Sequence, residues 1–161
     1  MKGIILAGGS GSRLHPLTNV VSKQLLPVFD KPMIYYSLSV LFLAEIKEIA
    51  IITTNEDKDK YIRLLGNGKK FGVRIEYFIQ EKPRGIPEAF LICNDFIKAS
   101  KVMLVLGDNI FYSHGLTPLI LASKKNKGAT IFSYEVVNPK DFGVVEIDTK
   151  NKIKSIEEKP I

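Results

Sequence analysis

The stretch Gly3-Ile4-Ile5-Leu6-Ala7 runs without interruption into Gly8-Gly9-Ser10-Gly11-Ser12-Arg13. A short apolar run rich in isoleucine, followed at once by a glycine-rich turn, reads as a buried strand feeding a loop. Glycines let backbone N–H groups come close to an anion and turn inward around it, and Arg13 and Lys23 supply countercharge. This is the pattern of a phosphate-binding loop, and it implies that the chain handles a nucleotide.

Outward from that loop the same alternation repeats. Apolar runs predict strands at Lys2 to Ala7, Glu48 to Thr53, Arg74 to Ile79 and Lys101 to Leu106; amphipathic segments predict helices near Ile34 to Ala44, Lys58 to Leu65, Pro87 to Ile97 and Leu116 to Lys125. The order β-α-β-α-β-α-β-α predicts an α/β fold: a Rossmann-like, doubly wound, mainly parallel sheet with helices on both faces. Pro87 suits a first helical turn, where its missing N–H costs nothing, and Glu88 suits the positive end of the helix dipole. After Gly128 the pattern changes to strands without intervening helices: Ala129 to Tyr134, Phe142 to Ile147 and Ile153 to Ile156. The size of the chain, 161 residues with no repeat or linker, predicts a single domain over 1–161.

Composition is that of an ordinary globular domain, 45% hydrophobic and 25% charged. The single cysteine, Cys93, cannot form an internal disulfide and lies in an apolar stretch, which fits a buried thiol in a reducing cytoplasm. No apolar run approaches membrane-spanning length, and no charged leader precedes the first strand, so neither export nor a membrane is expected. The formal net charge is +6, but the lysines are scattered rather than gathered, which favours small anionic substrates over nucleic acid. His15 and His114 lack the partner spacing of a zinc site.

Two familiar phosphate loops fit poorly. A P-loop needs a closing Gly-Lys-Ser/Thr, and here Ser12-Arg13 follows Gly11. The dinucleotide fingerprint needs a third glycine where Leu14 stands, although Gly9, Gly11 and Asp30 keep a dinucleotide-binding oxidoreductase as a remote alternative. The loop, with Arg13-Leu14-His15-Pro16-Leu17-Thr18, Lys23-Gln24-Leu25-Leu26-Pro27-Val28, Asp30-Lys31-Pro32-Met33-Ile34-Tyr35-Tyr36, Leu106-Gly107-Asp108-Asn109-Ile110-Phe111-Tyr112, Phe142-Gly143-Val144-Val145-Glu146 and Glu157-Glu158-Lys159-Pro160, resembles the glucose-1-phosphate thymidylyltransferases, a family of sugar-nucleotide pyrophosphorylases, along its whole length.

That resemblance implies transfer of a nucleotidyl group from dTTP to glucose 1-phosphate, giving dTDP-glucose and pyrophosphate, in the supply of dTDP-sugars such as dTDP-rhamnose for cell-surface polysaccharides. It implies Arg13 and Lys23 as the catalytic cations and a nucleotide site formed by Leu6, Ala7, Gly8, Gly9, Ser10, Gly11, Ser12, Arg13, Gln24, Gln80, Pro83, Gly85 and Asp108. Gln80, at the end of the third strand, carries an amide able to pair both donor and acceptor with a pyrimidine edge. The sugar phosphate would meet Gly107, Asp108, Gly143, Glu158 and Lys159, and Mg2+ would sit on Asp108; an Asx turn or helix cap for Asp108, and a strand-edge glycine and solvated terminal charges for the others, remain open alternatives. The chain departs from the family at Ile86-Pro87-Glu88-Ala89, where Leu-Ala-Gln-Ala is usual. The family also continues past residue 161, with a second metal-binding aspartate, further sugar contacts and a subunit interface. A shortened domain of this kind implies impaired turnover as an alternative to full activity, and self-association into a homo-oligomer over exposed apolar surface.

Overall fold

The structure is a computed structural model that describes residues 1–9, 11–149 and 152–158. It divides into two compact units, Met1–Lys125 and Asn126–Ile161. In the first, β1 (Lys2–Leu6) leads through the glycine loop to a small hairpin, β2 (Pro27–Val28) and β3 (Lys31–Pro32), and then to α1 (Ile34–Leu43). There follow β4 (Glu48–Thr53), α2 (Lys58–Leu65), β5 (Arg74–Ile79), α3 (Glu88–Ile92), α4 (Asn94–Ile97), β6 (Val102–Leu106) and α5 (Leu116–Ser123). The second unit holds β7 (Gly143–Ile147) and β8 (Ile153–Glu158).

The central sheet has the order β5-β4-β1-β6, and every pairing in it is parallel. Ile5, Ile49, Ile51 and Val105 face a layer formed by Ile34, Leu38, Leu41, Tyr61, Leu65 and Ile120 from α1, α2 and α5. Their neighbours Ile4, Ala50 and Ile52 face the opposite layer, where Ala89, Cys93 and Phe96 of the α3–α4 region pack. Successive strand side chains point to opposite faces, so a strand covered on both sides must be apolar throughout, as Ile49-Ala50-Ile51-Ile52 is. The doubly wound architecture follows from that arrangement.

Three details differ from the sequence expectation. The helix expected over Pro87 to Ile97 is two pieces, because Cys93 takes φ −96, ψ 15, outside the regular helical well. The Cys93 N–H still donates to Ala89 O (3.1 Å) and the Ile97 N–H to Cys93 O (2.8 Å), so the chain continues through the break. The strand expected at Ala129 to Tyr134 does not form among the described residues: the segment belongs to none of the three sheets there, and Ile131 and Tyr134 are exposed. β propensity rewards only a residue that packs on a pleated surface and joins a ladder. The β2–β3 hairpin, finally, turns through Phe29 at φ +60 and Asp30. Asp30, the acid of the dinucleotide alternative, is exposed there and paired with Lys31 at 2.7 Å, and that hydrogen bond holds its carboxyl below its usual range.

In the second unit β7 and β8 are antiparallel, with Gly143 opposite Glu158 and Val145 opposite Ile156. Glu146 accepts from Lys154 Nζ (3.2 Å) and Ser155 Oγ (3.1 Å) across the pair. Both strands stand where the alternation placed them, the second running to Glu158.

Candidate active site

Because β1 and β6 are adjacent and parallel, the loops leaving their carboxyl ends are neighbours, which is where open α/β sheets hold ligands. Gly107 joins the two: its N–H donates to Leu6 O at 2.8 Å, and a Cβ added there would lie 3.0 Å from Gln24 Cγ and 3.1 Å from Leu6 O. Gly11 takes φ +60, and a Cβ on it would lie 2.9 Å from Thr18 Cγ2 and 3.1 Å from Lys23 Cβ. The Thr18 hydroxyl donates to Gly11 O at 2.8 Å. Only glycine lets the phosphate loop pack this closely against the turn that carries Lys23.

A cleft of about 270 Å³ results, lined by Gly9, Gly11, Ser12, Arg13, Lys23, Gln24 and Asp108. Lys23 Nζ donates to Asp108 Oδ2 at 2.9 Å, and both side chains keep about a third of their surface. Arg13 has no ion-pair partner among the described residues. With Lys23 and Asp108 neutralising each other, Arg13 leaves the cleft with excess positive charge, which suits an anion. A phosphate chain entering the cleft would compete with Asp108 for Lys23 and free the carboxylate for a cation.

Ser22, Tyr61 and Ser37, which the sequence did not single out, join Gln24, which it did, in holding this constellation in place. Ser22 and Gln24 flank Lys23 on a single 3-10 turn and are both buried. The Ser22 hydroxyl donates to Gln24 Oε1 at 2.7 Å and lies 2.9 Å from the phenol of Tyr61, which reaches Gln24 Oε1 at 3.4 Å. Tyr61 is fully buried on α2, and burial holds its phenol far above the ordinary range, so it stays neutral and able to donate. From α1 the Ser37 hydroxyl reaches Leu106 O (3.1 Å) and Asn109 O (3.4 Å), tethering the turn that contains Asp108. Their only trace in the sequence is a polar residue on the buried face of each helix.

The other expected residues fall into separate groups. Leu6 and Ala7 end β1, with the Ala7 N–H on Ile52 O at 2.7 Å. Gln80 lies just past β5, buried, its Nε2 donating to Glu88 Oε2 at 2.7 Å. Pro83 and Gly85 are exposed in the loop between Gln80 and Glu88, whose carboxylate also accepts from the Arg84 N–H at 3.3 Å. Gly143 and Glu158 meet within the second unit, where a Cβ on Gly143 would lie 3.2 Å from Glu158 Oε2. Ser10 and Lys159 lie outside the described residues. Among the described residues no three His, Cys, Asp or Glu gather as a metal cage. Asp108, the carboxylate that lines the cleft, is held there by Lys23. No helix among the described residues is long and apolar enough to cross a membrane.

Comparison with known proteins places the chain among relatives. The family described as Nucleotidyl transferase matches residues 2–161. The chain is 56% identical to the glucose-1-phosphate thymidylyltransferase of Neisseria gonorrhoeae, over 99% of this chain and 56% of that protein. It is 54% identical to the enzyme of the same name from Mycolicibacterium smegmatis, again over 99% and 56%. A Bacillus anthracis structure provisionally named glucose-1-phosphate thymidylyltransferase superposes with a TM-score of 0.92 at 44% identity, covering 99% of this chain and 65% of that one. A UDP-glucose pyrophosphorylase complexed with UDP-glucose shares the fold, with a TM-score of 0.82 at 23% identity over 99% and 69%. The chain thus spans little more than half the length of the curated relatives it matches.

Proposed function

The chain belongs to the nucleotidyl transferase family, and we propose that it takes part in the transfer of a thymidylyl group from dTTP to glucose 1-phosphate, yielding dTDP-glucose and pyrophosphate. The observation that carries this reading is the cleft where Arg13, Lys23 and Asp108 converge beneath the glycine loop. A phosphate monoester is largely dianionic at neutral pH, so its oxygen needs no general base to attack the α-phosphorus. The new O–P bond forms as the α–β bridging P–O bond breaks, and its electron pair leaves with pyrophosphate. What the site must supply is alignment of two anions and neutralisation of the charge they gather. Arg13 grips the triphosphate, and Lys23, drawn from Asp108, meets the α-phosphate. Asp108 is the residue that would hold magnesium, whose charge, when bound, would lower the repulsion between the reactants. Glu158 accepts from sugar hydroxyls, while Lys159 meets the sugar phosphate. The likeness to named thymidylyltransferases supports thymidine and glucose as the substrates; a dTDP-sugar route to polysaccharide is the destination proposed with them.

The test separates holding the nucleotide from turning it over, because this chain spans 56% of the length of its Neisseria relative. Pyrophosphate release with dTTP, magnesium and glucose 1-phosphate is measured beside dTTP binding, for the chain and its Arg13→Ala and Asp108→Ala variants. Release that falls by about 100-fold or more in both variants is the expected result. Binding without release reduces the function of this chain to holding the nucleotide, and absence of both contradicts the reading.

A further inference from the structure

We infer that the basic face at the amino ends of β4 and β5 is a second anion site, separate from the glycine-loop cleft, which takes a short polyphosphate chain. The inference does not depend on the nucleotide reading above.

In the sequence the cations concerned are dispersed: Lys47 precedes β4, Arg63 lies on α2, Lys69 and Lys70 follow that helix, and Arg74 opens β5. The fold gathers them. β4 and β5 pair in parallel with Glu48 opposite Arg74, and the Arg74 N–H donates to Lys47 O at 2.8 Å. The turn after α2 closes onto the same end, with the Ile75 N–H on Asn67 O at 2.9 Å and the Val73 N–H on Gly68 O at 3.3 Å. Gly68 is buried at φ +82, and a Cβ there would lie 2.8 Å from Val73 O, so only glycine lets the turn lie this close to β5. Lys69 is thereby held on a fixed turn between the helix and the strand.

Two clefts result, of about 480 and 490 Å³: Lys47, Lys69 and Arg74 line the first, Arg63, Lys69 and Lys70 the second, and Asn67 lines both. No carboxylate lines either. Arg74 is paired with Glu76 at 2.8 Å and Lys70 donates to Leu64 O at 2.6 Å, but Lys47, Arg63 and Lys69 have no ion-pair partner among the described residues. Asn67 Oδ1 accepts from the Lys69 N–H at 3.1 Å, which orients the amide and leaves Nδ2, a group that can only donate, for a ligand. Cations drawn together without a counterion repel one another, and an anion relieves that repulsion while accepting charge-assisted hydrogen bonds. Because the charges are spread over two clefts joined at Lys69, the matching ligand carries several charges along its length, as a chain of phosphates does. The site lies at the opposite end of the sheet from Arg13 and Asp108: the strands are parallel, and the six residues of β4 span about 20 Å. An anion bound here would not compete with one bound in the glycine-loop cleft.

Titration of the whole ¹⁵N-labelled chain with tripolyphosphate, followed by amide NMR without magnesium at about 0.15 M salt, tests the inference. Arg13→Ala serves as the background, so that the glycine-loop cleft contributes little. Added to it are Lys69→Ala and, as a control, Lys58→Ala, a lysine of α2 outside both clefts. The expected result is saturable shifts concentrated between Gly66 and Arg74, with a dissociation constant raised about fivefold or more by Lys69→Ala and unchanged within about twofold by Lys58→Ala. Shifts that never saturate or that spread evenly over the chain overturn the site, as do equal losses in the two variants. Tighter binding of a single-stranded RNA oligomer than of tripolyphosphate would make this a nucleic-acid face and overturn the inference as well. Should Lys69→Ala fail to fold, Arg63→Ala decides by the same comparison.

Discussion

The sheet of the first unit and the hairpin of the second are made of similar residues brought to opposite ends. In β4, Ile49, Ala50, Ile51 and Ile52 are all 0% exposed; in β8, Ile153 and Ile156 are 55% and 60% exposed. Both sets are paired in ladders, the hairpin's with an irregularity between Glu146 and Ile147, so strand pairing alone is not what separates them. The difference is cover: parallel strands have helices on both faces, whereas among the described residues the two hairpin isoleucines stay largely open to water. A two-stranded ribbon without such cover is marginal on its own. For the proposed function, Arg13, Lys23 and Asp108 stand on loops anchored to a packed core, while, among the described residues, Gly143 and Glu158 stand on a two-stranded ribbon.

Matched truncations sharpen that contrast most. Ile51→Ala removes a fully buried side chain and should cost about 2–5 kcal/mol in chemical denaturation, with a cavity left between α1 and the sheet. Ile156→Ala should change stability by less than about 0.5 kcal/mol. Similar costs would mean that the hairpin is covered in solution.

Alkaline titration tests the packed core of the first unit next. Burial, with the Glu76 charge adding to it, pushes the Cys93 thiol up to about 12 from an ordinary 9.0, and burial pushes the Tyr77 phenol up to about 12 from 10.0. Both folded-state values are raised, so the native state favours the neutral forms. The contribution is whole below about pH 9 and is lost as pH rises toward 12, where the unfolded chain has already released its protons. Melting temperatures followed between pH 8 and 11 should fall, and native Cys93 should resist thiol reagents at neutral pH until the chain is unfolded. Rapid labelling of the native thiol would break the picture of a closed core on the α3–α4 side.

Smaller again is the effect of Tyr61→Phe. Loss of one hydroxyl from the Ser22–Gln24–Tyr61 cluster should cost about 1 kcal/mol in stability and weaken dTTP binding several-fold, since the Ser22–Leu25 turn would then hold Lys23 less firmly. A loss of stability with unaltered binding would confine Tyr61 to the core.

These contrasts also explain what was legible in the chain. The four parallel strands and the glycine loop announce themselves, because continuous apolar runs and adjacent glycines are local signals that tertiary packing reinforces. Arg13, Lys23 and Asp108 could be named from motif likeness, yet that Lys23 and Asp108 lie 2.9 Å apart across 85 positions is a fact of topology, which places β6 beside β1. Ala129 to Tyr134 misled because β-branched and aromatic residues promise a strand but cannot provide its partner. Tyr61 and Ser37 went unseen for the opposite reason: their importance lies in hydrogen bonds to a distant turn, and no periodicity records that.

The account holds that the first unit carries the grip on the triphosphate and the second does not. Calorimetric titration of magnesium–dTTP into the chain, its Arg13→Ala variant and its Glu158→Gln variant tests this directly. The account predicts affinity about tenfold or more weaker for Arg13→Ala and unchanged within about twofold for Glu158→Gln. Equal losses in the two, or loss confined to Glu158→Gln, would contradict it.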